Sequence, residues 1–128
     1  MDFVKYPKIH ALGKEENAMI FADPEDDIVI EEKLDGANTV FFFNDGAVGF
    51  GSHNQKLAAT VGEMPKNFRR AAQFVIDAIH NKLGLDGSGE YAKAHEQYVY
   101  YGETMVRHSI AYDWEKIPPF LGFDILGP

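Results

Sequence analysis

Residues 39–50 read Thr-Val-Phe-Phe-Phe-Asn-Asp-Gly-Ala-Val-Gly-Phe. β-Branched and aromatic residues at 39–43 predict a strand. Asn44-Asp45-Gly46 is a turn signature, and residues 47–50 then return as the next strand. Strands joined by so short a link pair antiparallel. Working outward, the apolar run Ile28-Val29-Ile30 opens a predicted strand over 28–34. A Tyr-rich strand is expected over 97–103, a connection over 114–119 and a last strand over 120–126. Residues 65–83 predict the only long helix, because Phe68, Ala72, Val75, Ile79 and Leu83 recur at three- and four-residue steps. Pro65 suits its first turn and Gly84 its C-terminal cap. Residues 1–27 are turn-rich and end in the acidic loop Asp23-Pro24-Glu25-Asp26-Asp27, and 84–89 read as a second loop. The sum is one α+β domain over residues 1–128, mostly antiparallel sheet with one long helix.

Composition bounds the function. The chain has 128 residues, 45% of them hydrophobic, with ten Phe, six Tyr and one Trp, which is enough for a core. No apolar run reaches the roughly 20 residues that span a bilayer, and no leader pattern opens the chain. The absence of cysteine excludes disulfides and thiolate metal sites and favours a cytoplasmic protein. A net charge of −8 argues against binding nucleic acid through a broad basic field. Contact with a polyanion must then come from a local cluster, for which Lys56, Lys66, Arg69, Arg70 and Arg107 are candidates.

The chemistry-bearing stretch is Glu32-Lys33-Leu34-Asp35-Gly36-Ala37-Asn38. A lysine among acids, where a strand breaks into a glycine turn, suggests a nucleophilic amine. The competing reading is a surface lysine paired with Glu31 or Asp35. For Asp35 and Gly36 the plain reading is a turn, with Gly tolerating positive φ and Asp bonding nearby amides. For Asn38 it is a turn cap.

This stretch resembles the nucleotidyl-lysine motif of the covalent nucleotidyltransferases, and the Glu before the lysine and Asn38 after Asp-Gly resemble the ATP-dependent RNA ligase branch. Three further motifs occur in the family's order: Gly51-Ser52-His53-Asn54, Tyr101-Gly102-Glu103 and Phe120-Leu121-Gly122-Phe123-Asp124-Ile125. The resemblance spans residues 30–126. It departs at His53, where the family has a phosphate-gripping arginine, and at Thr104, where it has leucine. The family's later Glu-Gly-x-Val and Lys-x-Lys motifs have no counterpart. The expectation is therefore the N-terminal half of an ATP-grasp-like ligase nucleotidyltransferase domain, and a poor enzyme by itself.

The resemblance implies a reaction. Lys33 would attack the α-phosphate of ATP to form lysyl-AMP, with Mg²⁺ as the cofactor, and AMP would pass to an RNA 5′-phosphate for joining to a 3′-hydroxyl. A free lysine titrates near ~10.4, so its amine must be deprotonated to attack. By resemblance, Glu103 contacts the ribose and Phe123 stacks on adenine. Glu32 places the base through its backbone, and Asp35, Gly36, Asn38 and His53 complete the nucleotide site. The plain alternatives are an ion-paired sheet carboxylate for Glu103 and core packing for Phe123. Two other functions compete: a DNA ligase or capping-type enzyme, and a non-catalytic nucleotide- or RNA-end-binding remnant.

Other features carry less. His10, His80, His95 and His108 lack metal-ligand spacing, so no metal site is expected. His95-Glu96 lacks the second histidine of a zinc-protease helix, and Gly87-Ser88-Gly89 lacks the Gly-Lys-Ser/Thr ending of a phosphate loop. Lys66, Arg69 and Arg70 fit either an exposed helix face or a nucleic-acid track. Oligomeric state is not legible.

Overall fold

The computed structural model describes residues 2–83, 90–107 and 110–128, with the side chains of 82, 83, 90 and 91 excepted. Strands β1 (Ala37–Asn44), β2 (Ala47–Ser52), β3 (Val99–Thr104) and β4 (Phe120–Leu126) form an antiparallel sheet in the order β2-β1-β3-β4. Helix α1 (Lys66–Leu83) and the short helix α2 (Glu90–His95) separate β2 from β3. The expected α+β class, the antiparallel sheet and the single long helix are all present. α2 was not anticipated. Among the described residues, no helix is long and apolar enough to cross a membrane.

The hairpin forms for a local reason. Asn44 pairs with Ala47, so Asp45 and Gly46 alone make the turn, at φ +49° and +77°. Two successive left-handed residues match the right-handed twist of the strands, which is why Asp-Gly sits here.

Alternation then sorts the side chains. Phe41, Phe43, Tyr100 and Phe120 face α1, where Phe68, Ala72, Val75 and Ile79 supply the expected apolar stripe. Phe41 stacks on Tyr100 at 4.6 Å. Val40, Phe42, Val99 and Tyr101 face the other side, where Phe3 and Tyr6 of the N-terminal segment pack against them. Phe42 is fully buried; truncating such a phenylalanine to alanine costs about 3–5 kcal/mol. Glycines let this second layer close. A Cβ on Gly49 would meet the Phe42 ring at 2.5 Å, and one on Gly51 would meet the Phe3 ring at 2.4 Å.

One expected element is absent. Residues 28–34 form no strand. Ile28, Val29 and Ile30 are 58%, 82% and 91% exposed. Three consecutive apolar residues project to both sides of an extended chain, so a strand there needs a ladder partner and cover on both faces. The described residues supply neither. Pro65 precedes α1, where its carbonyl accepts the Phe68 N–H at 3.0 Å. The proposed cap at Gly84, the 84–89 loop, Gly87-Ser88-Gly89 and His108 lie outside the described residues.

Replacing Gly46 with Val forces a β-branched residue to positive φ. The expected cost is about 1–2 kcal/mol, read as a lower urea midpoint at unchanged slope. An unchanged midpoint would contradict the two-residue turn.

Candidate active site

The lysine motif runs directly into β1, and its geometry follows from that entry. Gly36 is pressed against the end of β3: an added Cβ would lie 2.4 Å from the Thr104 carbonyl oxygen and 3.2 Å from Glu103 Oε2. Glycine is needed for this close approach. Positive φ, the sequence-based reason, does not apply, because Gly36 is not among the residues in that region. Asp35 is likewise more than a turn former. Its carboxylate Oδ2 accepts the backbone N–H of Ile110 at 3.1 Å, and its own N–H donates to the Tyr112 hydroxyl at 2.9 Å. The motif is thereby tied to the β3–β4 connection, some 75 residues away.

Two residues further on, Asn38 pairs with Glu103 across the β1–β3 ladder. Paired residues of an antiparallel ladder project to the same face, so both belong to the face of Val40 and Tyr101. Asn38 does not cap the turn. Its Oδ1 is buried and, among the described residues, has no hydrogen-bond partner. Glu103 is partly buried, and this desolvation pushes its carboxyl above the ordinary range. The Lys33 ammonium pulls it back down and the Asp35 carboxylate pushes it up. Lys33 and Asp35 therefore both lie within electrostatic reach of Glu103 at one end of the sheet. Lys33 is exposed and makes no ion pair with a described carboxylate; the surface-pair reading with Glu31 or Asp35 is not what the structure holds. Glu103 likewise makes no ion pair with a described cation.

The aromatic part of the site lies on the same face. The register shifts between Tyr101 and Gly102, where Tyr101 pairs with Asp124 and Gly102 with Gly122. This leaves Phe123 as the extra residue of a bulge, a device that re-aims a side chain. Phe123 meets Tyr6 in a T-shaped ring contact at 5.2 Å, and the residue is 37% exposed. Plain core packing would bury it. Tyr6 also packs on Tyr101 at 4.9 Å and donates its hydroxyl to Asp124 Oδ2 at 3.2 Å. Burial, followed by that bond, raises the Tyr6 hydroxyl above its usual range. The Tyr101 hydroxyl is raised by burial and then by Asp124, and it too lacks a partner among the described residues.

Two expected residues stand apart from this cluster. Glu32 is exposed on the approach to the turn. His53 is exposed in the bend after β2, at the strand end where Thr39 pairs with Ser52 and hence at the motif's end of the sheet. Sequence reasoning missed Tyr6 and Tyr101. Tyr101 was within reach, since it shares β3 periodicity with Glu103. Nothing local marks Tyr6, whose partner lies 118 residues away.

What this face can do follows from its donors and acceptors. A buried unpaired acceptor costs roughly 1–3 kcal/mol unless a ligand satisfies it. Asn38 Oδ1 and the Tyr101 hydroxyl therefore favour a polar ligand on this face. Phe123 offers that ligand an aromatic edge or face, and Glu103 can accept bonds from paired hydroxyls. These groups fit a nucleoside next to an amine. A protein-family model described as RNA ligase matches residues 26–127. No curated protein and no solved structure matches the chain.

Gly36→Ala should destabilise the chain by about 1–3 kcal/mol, the usual range for overpacking, with thermal unfolding as the measurement. Glu103→Gln tests the raised carboxyl. A raised folded-state value means that the stability is fully present below the unfolded value, near ~4.3, and is lost as pH rises through the folded value. The variant should therefore be more stable than the parent at neutral pH and equal to it in acid. A constant difference across pH would refute the desolvation account.

Proposed function

The chain belongs to the RNA ligase family, and we propose that it performs the adenylation step of ATP-dependent RNA joining with Lys33 as the nucleophile. The observation that carries this reading is the convergence of Lys33, Asp35, Asn38 and Glu103 at one end of the sheet, beside the half-exposed Phe123. The α+β architecture is taken as the ATP-grasp-like ligase type.

Adenosine lies on the sheet face opposite α1. Phe123 packs against the base and Tyr6 holds the Phe123 ring through their T-shaped contact. Glu103 accepts bonds from the ribose hydroxyls, and Asn38 uses its spare oxygen on the nucleotide. The Glu32 backbone borders the base, and His53 lies where the phosphates extend. Asp35 and Gly36 fix the turn, so that Lys33 is presented from a chain tethered at Thr104, Ile110 and Tyr112. Positioning of this kind is the main protein contribution to phosphoryl and nucleotidyl transfer.

The free amine of Lys33 attacks the α-phosphorus. An N–P bond forms, the bond to the β-phosphate oxygen breaks, pyrophosphate leaves and a proton passes to solvent. An oxygen of the RNA 5′-phosphate then displaces the lysine from lysyl-AMP, and the 3′-hydroxyl attacks the activated 5′-phosphorus with loss of AMP. Mg²⁺ on the phosphate oxygens would neutralise developing charge. Among the described residues, no three His, Asp or Glu side chains gather to hold a metal. The ion would arrive with ATP.

Intact mass spectrometry after incubation with ATP and Mg²⁺ tests the reading. The expected result is slow accumulation of an adenylyl adduct that is absent from Lys33→Ala and reduced at least about tenfold in Glu103→Ala; a loss of this size corresponds to ~1.4 kcal/mol. An unmodified parent chain, or an adduct that persists without Lys33, overturns it.

A further inference from the structure

The five basic residues singled out in the sequence do not behave alike. Lys56 is committed to the N-terminal segment: its Nζ pairs with Asp2 at 3.0 Å and lies over the Phe42 ring. Arg69 is committed to the chain just before its helix, its Nε donating to the Met64 carbonyl at 2.7 Å. Lys66, Arg70 and Arg107 instead come together around a groove of about 450 Å³ between the start of α1 and the chain leaving β3. All three are exposed, and none makes an ion pair with a described carboxylate. Trp114 forms the far wall, with the Arg107 guanidinium 6.0 Å from its ring. Glu115 is the sole acid among the described residues of the lining. On a chain of net charge −8 this is a local reversal of sign.

The groove is joined to the lysine motif through the backbone. Thr104, which lines it, is the residue whose carbonyl presses on Gly36. Trp114 meets the ring of Tyr112 at 5.6 Å, and the Tyr112 hydroxyl accepts the Asp35 N–H. Lys33 lies two residues from Asp35, at most about 7 Å of extended chain. Thr104 faces α1, whereas Glu103 and Tyr101 face the opposite side. The groove and the proposed adenosine face thus flank the motif from opposite sides of the sheet end.

We propose that this groove seats the sugar–phosphate backbone of the single-stranded RNA substrate, with Lys66, Arg70 and Arg107 on phosphates and Trp114 against a base or ribose. The assignment rests on the adenylation reading for its choice of polyanion. Cations in a groove with an aromatic wall are the usual combination for single strands, where phosphates supply affinity and rings supply sequence-tolerant stacking. Access from the side away from adenosine lets an RNA 5′-phosphate approach Lys33 without displacing the nucleotide.

The test is binding of a short 5′-phosphorylated, fluorescein-labelled single-stranded RNA across a salt series, beside adduct formation with ATP. Each phosphate contact on a single strand contributes about 0.7 to the slope of log affinity against log salt. Lys66→Ala combined with Arg70→Ala should flatten that slope by about 1.4 and weaken binding at least about tenfold at low salt, leaving adduct yield unchanged. Trp114→Ala should weaken binding at unchanged slope, because it removes no charge. An unchanged slope in the double variant, or a parent chain that does not bind the RNA, overturns the proposal. Loss of adduct with RNA affinity intact also overturns it, because the groove would then hold the phosphates of ATP. Salt-dependent RNA binding that is lost in the double variant, in a chain that never forms an adduct, supports the groove and overturns the adenylation reading instead.

Discussion

Six cross-strand pairs between β1 and β3, from Ala37 with Thr104 to Phe42 with Val99, decide which side chain meets which layer. Side chains alternate along a strand, so a slip of one residue would exchange the two faces. A slip of β1 would carry Asn38 into the aromatic core under α1 and turn Phe41 out of it, parting Asn38 from Glu103. The buried bond between Thr39 Oγ1 and Thr104 Oγ1, at 2.7 Å, belongs to the helix side and helps hold this register. The close approach of Gly36 to Thr104 lies at the ladder's end. One register thus sets the core and orients the candidate site together.

The two faces of the sheet are covered differently. Under α1 an aromatic cluster is closed by an 18-residue helix. On the other face Val40, Phe42 and Tyr101 are shielded by a few residues near the N-terminus, chiefly Phe3 and Tyr6. That lighter cover touches Phe123 through Tyr6 but leaves it partly exposed, and it leaves Asn38 Oδ1 and the Tyr101 hydroxyl buried but unpaired among the described residues. Polar atoms left without partners beside a half-exposed ring give up local stability and favour a ligand, a common compromise where activity is located.

What the sequence disclosed was local. The hairpin was legible because Asp45-Gly46 needs nothing beyond its own strands, and α1 because Phe68, Ala72, Val75 and Ile79 repeat within one helix. The lysine motif and its companions were legible as an ordered set, and the structure brings Lys33, Asp35, Asn38 and Glu103 together. What failed depended on partners distant in sequence. Ile28-Val29-Ile30 has strand composition but no ladder among the described residues. Gly36 looked like a residue chosen for its φ, yet the constraint comes from Thr104. Lys66, Arg69 and Arg70 looked like one patch, and a single bond from Arg69 to Met64 separates them. Tyr6 carried no signal, since its significance lies in Tyr101, Phe123 and Asp124.

The bond between Tyr6 and Asp124 joins residues 118 positions apart, and this bears on the order of folding. Closing so long a loop is slow compared with zipping a hairpin. The β1–β2 hairpin and α1 can form early in synthesis, whereas β4 and its bulge cannot pair until residues 120–126 have emerged. Until then the rings of Phe3 and Tyr6 have only part of their final surface. Of the two layers, the face that receives the nucleotide in our reading is therefore the later to be assembled, so a chain caught before that step would hold most of its core and an unfinished site.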